Sequence, residues 1–260
     1  MPPDLPAPQV VTAGTRPRSL ARPPALRPGD RVAVLSVSSP VGQADLRIGV
    51  DTLRFAGLDP VIYPSAQDGG SVRHYLAGDD KLRAGDLRAA LTDPSIAGII
   101  FARGGYGAQR TLEAMDWEGL AGLPPKVLAG YSDLTAIQEA VAVRVGWASL
   151  HSPMVTSTGD TAHYSFESLL RTLMRPEQAM EIHYPGAVTV VGGTGSGITL
   201  GGNLSLLTSS VGTDTALPAR DGILMIEEEF GLKISPAEFE RDRWRTPRAV
   251  IADLQQRMRM

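Results

Sequence analysis

Over residues 27–150, short apolar runs alternate with amphipathic ones. "RVAVLSVS" (31–38) is mostly apolar and β-branched, the pattern of a buried strand. In "ADLRIGVDTLRFAGL" the residues Leu46, Val50 and Leu53 recur at helical spacing, and Gly57 is a good stop. "PVIYP" (60–64) predicts a second strand and "DDKLRAGDLRAALTD" (79–93) a second helix. "IAGIIFARGG" (96–105) and "KVLAGYS" (126–132) predict two more buried strands. "DLTAIQEAVAVRVG" then puts Leu134, Ile137, Val141 and Val145 on one face of an amphipathic helix that ends at Gly146. Strands alternating with helices predict a doubly wound, mostly parallel sheet covered on both sides. Ligands of such sheets bind at the carboxyl ends of the strands. Two turns fall there, "ARGGYG" and "GYSD".

Beyond residue 150 the texture changes. "HYSFESLLRTLM" (163–174) predicts one more helix, "AVTVVGGTGSGITLGGN" (187–203) is Gly-rich and strand-like, and "GILMI" (222–226) predicts a strand that runs into three glutamates. The expected organisation is an N-terminal α/β domain over 27–175 and an incomplete C-terminal α/β domain over 187–260. The first 26 residues are rich in Pro and Arg, lack a period and lack the apolar core of a secretory signal. They read as a disordered leader or an over-extended start.

The chain has 260 residues, 43% of them hydrophobic, enough for a sizeable core. Its net charge is −3 and no basic stripe stands out, which argues against nucleic acid as a partner. No apolar run reaches the roughly 18–20 residues of a membrane span. With no cysteine, disulfides, thiolate metal sites and cysteine nucleophiles are all excluded. A cytoplasmic protein is the default expectation.

Four features could carry chemistry. Ser132 lies between a buried strand and a helix start, where backbone N–H groups and the helix dipole favour a developing oxyanion. The logic is that of a nucleophile elbow, although Leu134 stands where the G-x-S-x-G pattern has its second glycine. On local pattern alone a plain helix cap is favoured. "RGGYG" (103–107) could bring backbone N–H groups close to a ligand, or be an ordinary strand-to-helix turn with Arg103 on the surface. The dinucleotide fingerprint is incomplete both there and in "GGTGSG", so a nucleotide-binding domain is the weakest reading. Of Glu227, Glu228 and Glu229, one could orient a histidine, while a charge run ordinarily marks a solvated strand end. The histidines are His74, His151, His163 and His183. Only His151, after a short apolar strand, is expected at the sheet's carboxyl edge, and no pair has metal-ligand spacing.

Taken in order, "YLAGDDKLRAGDLRAALTDPSIAGIIFARGGYGAQRTLEAMDW" (75–117), "VLAGYSDLTAI" (127–137), "LHSPM" (150–154), "LGGNLSLL" (200–207) and "GILMIEEE" (222–229) resemble the LD-carboxypeptidases. These serine peptidases include murein tetrapeptide carboxypeptidase and the microcin C immunity peptidases. The resemblance runs from about Leu26 to Glu229. It implies a Ser–His–Glu triad on a two-domain α/β fold, with no metal or other cofactor. The implied reaction hydrolyses the amide between an L-centre and a C-terminal D-residue, and the implied partner is a peptide or muropeptide. The family serine falls on Ser132 and the family glutamate on Glu227. The N–H of Asp133 and one from Gly104–Gly105 would form the oxyanion hole. Arg103, Tyr106, His151 and Asn203 fall on motif positions near the pocket. A homodimer is common in the family. The resemblance raises Ser132 from cap to nucleophile, and the two roles are compatible.

The sequence departs from the family after Glu229, apart from a faint "DRW". The family's catalytic histidine lies in a later "GH" motif, whereas no histidine follows His183 here. Truncation, a frameshift and a genuine short variant each account for this. Two readings stand: a peptidase with weakened activity, or a pseudoenzyme that binds peptide without cutting it.

Overall fold

The computed structural model describes residues 19–67, 74–158, 163–178, 189, 192–217 and 222–227. The first half is built on five parallel strands: β1 (Arg31–Leu35), β2 (Asp59–Ile62), β3 (Ile96–Phe101), β4 (Val127–Gly130) and β5 (Leu150–His151). Their order is β2-β1-β3-β4-β5. The chain winds outward in opposite directions from β1, so a crevice opens between the carboxyl ends of β1 and β3. The α/β expectation holds.

Helices α1 (Gln43–Phe55), α2 (Pro64–Gln67), α3 (Asp80–Thr92), α4 (Ala108–Ala114), α5 (Thr135–Arg144) and α6 (His163–Met174) complete this half. Strand residues alternate between two apolar clusters. Ala33, Leu35, Ile99, Phe101 and Leu128 join α3, α4 and α5 in one, while Val32, Val34, Ile100 and Ala129 join α1 and α6 in the other. This is why β1, β3 and β4 read as near-continuous apolar runs: both faces are buried. Asp79 caps α3 by accepting from Leu82 N at 2.7 Å, as the "GDD" start suggests.

Two expectations change here. Residues 1–18 lie outside the described residues, but the stretch 19–26 belongs to the fold. Ala21 donates to the Gly146 carbonyl (2.8 Å), and Ala148 donates back to Ala21 (2.8 Å). Leu26 is buried and donates to the Leu173 carbonyl on α6 (2.8 Å). Its side chain joins the apolar cluster that holds Val32 and Leu53, which anchors the segment. Nor is α5 amphipathic, because every residue from Thr135 to Ala142 is buried. Its outer face is covered by the second half of the chain.

That half contains β6 (Ile198–Asn203), α7 (Leu204–Ser210) and β7 (Gly222–Glu227). β6 and β7 form a two-stranded parallel sheet, with Asn203 in register with Glu227. Leu204 and Leu207 of α7 are buried. Ser210 donates to Glu139 on α5 (3.1 Å), and Asn203 N donates to Thr135 Oγ1 (2.9 Å). Most of the expected boundary region near 175–190, namely 179–188 and 190–191, and all residues after 227 lie outside the described residues.

Candidate active site

The site is assembled from loops that follow β1, β3, β4 and β5 at one edge of the sheet. After β4, Tyr131 is extended and Ser132 turns to φ +63°. Ser132 is the only non-glycine residue at positive φ among those described. Such a conformation is disfavoured for a side chain bearing a Cβ, and it persists where the surroundings over-determine it. Leu134, fully buried, and the Leu134 N–H to the Tyr131 carbonyl (3.3 Å) close the turn, and α5 follows. The outcome is a half-buried serine presented at a sharp strand-to-helix turn.

The "RGGYG" turn after β3 packs directly against it. A Cβ on Gly104 would lie 3.3 Å from the Ser132 Cβ. Gly105 has φ +112°, and a Cβ there would come within 2.2 Å of Ser39 Oγ. Only glycine fits between the serine turn and the loop after β1. That loop grips the turn from the other side: Ser39 N donates to the Gly104 carbonyl (3.3 Å), and Tyr106 N donates to Ser39 Oγ (3.1 Å).

Asp133 joins all three loops. Its side chain is 4% exposed, and its Oδ2 accepts from Ser38 Oγ (2.6 Å) and from the backbone N–H of Ala108 (2.9 Å), the first residue of α4. Burial pushes this carboxyl above the ordinary carboxylate range, against the pull of those two hydrogen bonds. Beneath lies a further polar layer. Thr111 Oγ1 donates to the Val37 carbonyl (2.7 Å) and accepts from Arg83 Nε (3.0 Å). Arg83 is fully buried, donates also to the Gly78 carbonyl (2.8 Å) and pairs with Asp80.

The remaining expected residues divide. Tyr106 is exposed, its ring edge-on to Tyr75 with centroids 5.7 Å apart. Arg103 is exposed and donates to the Pro40 carbonyl (3.2 Å), which holds it at the mouth of the crevice. His151 is exposed at the end of β5, in register with Gly130, and its ring stands 6.2 Å from that of Tyr131. Gln138 Nε2 donates to the carbonyls of both Gly130 and Leu150 (2.8 Å each), fixing the ends of β4 and β5 together. Asn203 reaches the same region through Thr135, but its side-chain oxygen caps α7, accepting from Ser205 N (3.1 Å) and Leu206 N (3.4 Å). The Glu227 side chain, Glu228, Glu229, the His163 side chain and His183 lie outside the described residues. His74 is exposed. Sequence reasoning missed Ser38 and Ser39, although "SVSSP" follows a buried strand at the same edge as the two turns it singled out.

Among the described residues no three His, Asp or Glu are placed to hold a metal ion. No described helix is long and apolar enough to cross a membrane.

The LD-carboxypeptidase N-terminal domain matches residues 32–152, from β1 to the end of β5. A candidate carboxypeptidase of Streptomyces coelicolor is 42% identical over 212 residues, 81% of this chain and 68% of that protein. The chain belongs to the LD-carboxypeptidase family. Among solved structures, the MccF-like protein of Bacillus anthracis superposes with a TM-score of 0.70 at 25% identity, covering 80% of this chain and 70% of that one. The muramoyltetrapeptide carboxypeptidase of Oxalobacter formigenes gives a TM-score of 0.59 at 25% identity, covering 75% of this chain and 65% of that one. This LD-carboxypeptidase chain thus spans about two thirds of the length of its relatives.

Proposed function

We propose that the chain is a serine-type LD-carboxypeptidase that releases a C-terminal D-residue from an L,D-peptide such as a murein tetrapeptide. The observation that carries this reading is Ser132: a strained, positive-φ serine at a strand-to-helix turn, against Gly104, at the crevice of a doubly wound sheet. The muramoyl tetrapeptide named for the Oxalobacter formigenes relative supports the substrate class. Ser132 Oγ attacks the carbonyl of the L-residue while its proton passes to a base. The N–H of Asp133 and one from Gly104–Gly105 hold the oxyanion. Collapse expels the D-amino acid, which takes up the proton as its amine leaves. Water then hydrolyses the acyl-enzyme and frees the serine. Glu227 orients the base, as the acid of a triad does. Arg103, at the crevice mouth, is the candidate to pair with the substrate's carboxylate. Tyr106 and His151, both exposed, line the approach, and Asn203 supports it from behind by capping α7 and donating to Thr135. The setting is a cytoplasm that recycles peptidoglycan fragments.

The alternative is a peptide-binding protein that does not cut. The deciding measurement is D-alanine release from a murein tetrapeptide, beside labelling of Ser132 by a fluorophosphonate. Release that disappears in Ser132→Ala and persists in His151→Ala supports the peptidase. Tight tetrapeptide binding without release or labelling supports the binder. Release unchanged by Ser132→Ala sinks the assignment of the nucleophile.

A further inference from the structure

The carboxyl group of Asp133 has no part in the chemistry just outlined, which uses only its backbone N–H. Yet the side chain is 4% exposed and makes two contacts that span the site. Both donors converge on one oxygen: Ser38 Oγ at 2.6 Å, from the loop after β1, and Ala108 N at 2.9 Å, from the start of α4. These partners lie 95 and 25 residues away in sequence, so the contacts tie together three separate loops.

The geometry bears on catalysis because the two proposed oxyanion donors come from different loops. One is the N–H of Asp133 itself. The other is in Gly104–Gly105, three residues before Ala108. Nothing in the chain's connectivity fixes the distance between them, since one follows β4 and the other β3. A donor displaced by a fraction of an ångström from the developing charge loses much of its value. The strain at Ser132 adds a second demand, because a serine at φ +63° relaxes unless its neighbours hold it. Ser39 pins the glycine turn from one side through Tyr106 N and Gly104 O, and the Asp133 carboxyl pins it from the other through Ala108 N.

We infer that the Asp133 side chain is a positioning residue that sets the spacing of the two oxyanion donors, holding the serine turn, the "RGGYG" turn and the Ser38 loop in register. This rests on Ser132 being the nucleophile. Its consequence is selective. Loss of the carboxyl should weaken what is bound as a tetrahedral adduct and spare what is bound as a planar ground state.

The test uses the full chain and two ligands, a dipeptide boronic acid whose boron replaces the scissile carbonyl and the same dipeptide as its carboxylate. Ser132 Oγ forms a bond to boron, its proton leaves to the solvent, and boron becomes tetrahedral and anionic with a hydroxyl in the oxyanion position. Binding is read by calorimetry and the adduct by boron NMR. Asp133→Ala should weaken the boronate by about tenfold or more and the carboxylate by less than about twofold. Asp133→Asn keeps an oxygen that can accept from both donors and should fall between Ala and wild type. Ser38→Ala removes one donor and should cost the boronate about threefold, which keeps the idea testable if Asp133→Ala does not fold. Equal weakening of both ligands in the Asp133 and Ser38 variants, or no weakening of either, overturns the inference. Ser132→Ala separates the two levels: if it keeps the full boronate preference and the tetrahedral boron signal, the nucleophile assignment itself has failed.

Discussion

The described residues form two parallel sheets built on opposite terms. The five-stranded sheet is covered on both faces, and its central strands β1, β3 and β4 are buried almost throughout. The β6–β7 pair has the same parallel sense, yet Ile223 and Met225 on β7 are 40% and 47% exposed. A parallel sheet depends on cover from both sides, and two strands alone carry little stability. The smaller sheet is held through α7 and the end of β6, which pack on α5. The comparison teaches that the half carrying Ser132 buries its own sheet, while the described part of the second half rests on α5. The turn that carries Ser132 opens that same helix, so the two halves meet one element away from the proposed chemistry.

The largest expected effect tests the contrast in burial. Phe101 is fully buried in the cluster above β3. Phe101→Ala should lower global stability by about 3–5 kcal/mol. Ile223→Ala, on the exposed β7, should change it by no more than about 0.5 kcal/mol. Urea unfolding followed by circular dichroism measures both. Similar losses from the two substitutions would mean that β7 belongs to one cooperative core with β3.

The next effect separates the halves locally. Gly202 has φ +136°, and a Cβ there would come within 2.4 Å of Thr135 Oγ1, the group that accepts from Asn203 N. Gly202→Ala should push β6 off α5 at a cost of about 1–3 kcal/mol. Amide hydrogen exchange should rise over 198–210 and stay unchanged over 96–101. A rise of equal size in β3 would show that the second half supports the first.

The same contrast explains what was legible in the sequence. β1, β3 and β4 were readable because burial on both faces leaves an unbroken apolar run, and α3 because Asp79 and the helical period agree. The serine turn was readable as a place, not as a chemistry, since a cap and an elbow use the same residues. Only the positive φ of Ser132 separates them, and no residue type encodes that. α5 misled because Gln138 and Glu139 look solvent-facing in sequence. One bridges β4 and β5 and the other meets Ser210, and both partners are distant in the chain. α7 was missed for a related reason: "LSLLTSS" is short, rich in serine and preceded by glycines, and its cap and apolar contacts are tertiary.

Glu139 gives the contrast a pH dependence. Its carboxyl is buried between α5 and α7, where Oε1 accepts from Ser210 Oγ (3.1 Å). Burial pushes its pKa from the ordinary 4.5 up to about 8, outweighing the hydrogen bonds from Ser210 and the Leu217 backbone. An ion pair, Arg144–Asp214, joins the end of α5 to the segment after α7. Between 4.5 and about 8 the folded chain holds a proton that the unfolded chain has lost. Stability from this group is therefore complete below the lower value and declines as pH rises through the upper one. Asp133 acts in the same sense, while Asp80 and Asp93, whose carboxyls are held low, lose their contributions as pH falls. Glu139→Gln should flatten the decline across that window, and protection of 204–217 should cease to depend on pH. An unchanged slope in Glu139→Gln would remove Glu139 as its source.

The smallest effect concerns the one charged contact between the halves for which both partners are described. Arg144 at the end of α5 pairs with Asp214, and its guanidinium lies over the Trp117 ring at 5.3 Å from the centroid. The aspartate side chain is 74% exposed, so water and salt screen the pair. Asp214→Ala should cost about 0.2–1 kcal/mol, and the difference should vanish in about 1 M salt. Arg144→Ala should cost somewhat more, because the stacking on Trp117 and the packing of the long stem go with the charge. The measurement is thermal unfolding of both variants at low and high salt. A loss above about 2 kcal/mol for Asp214→Ala, or one that survives high salt, would mean that an ion pair clamps the second half in place. The expected small and salt-sensitive loss leaves that work to Leu204 and Leu207, both 3% exposed, and to the Ser210–Glu139 hydrogen bond. The halves are then joined through the back of the helix that begins at Thr135, just after the Ser132 turn, so loosening α7 should reach Ser132 sooner than breaking any surface pair.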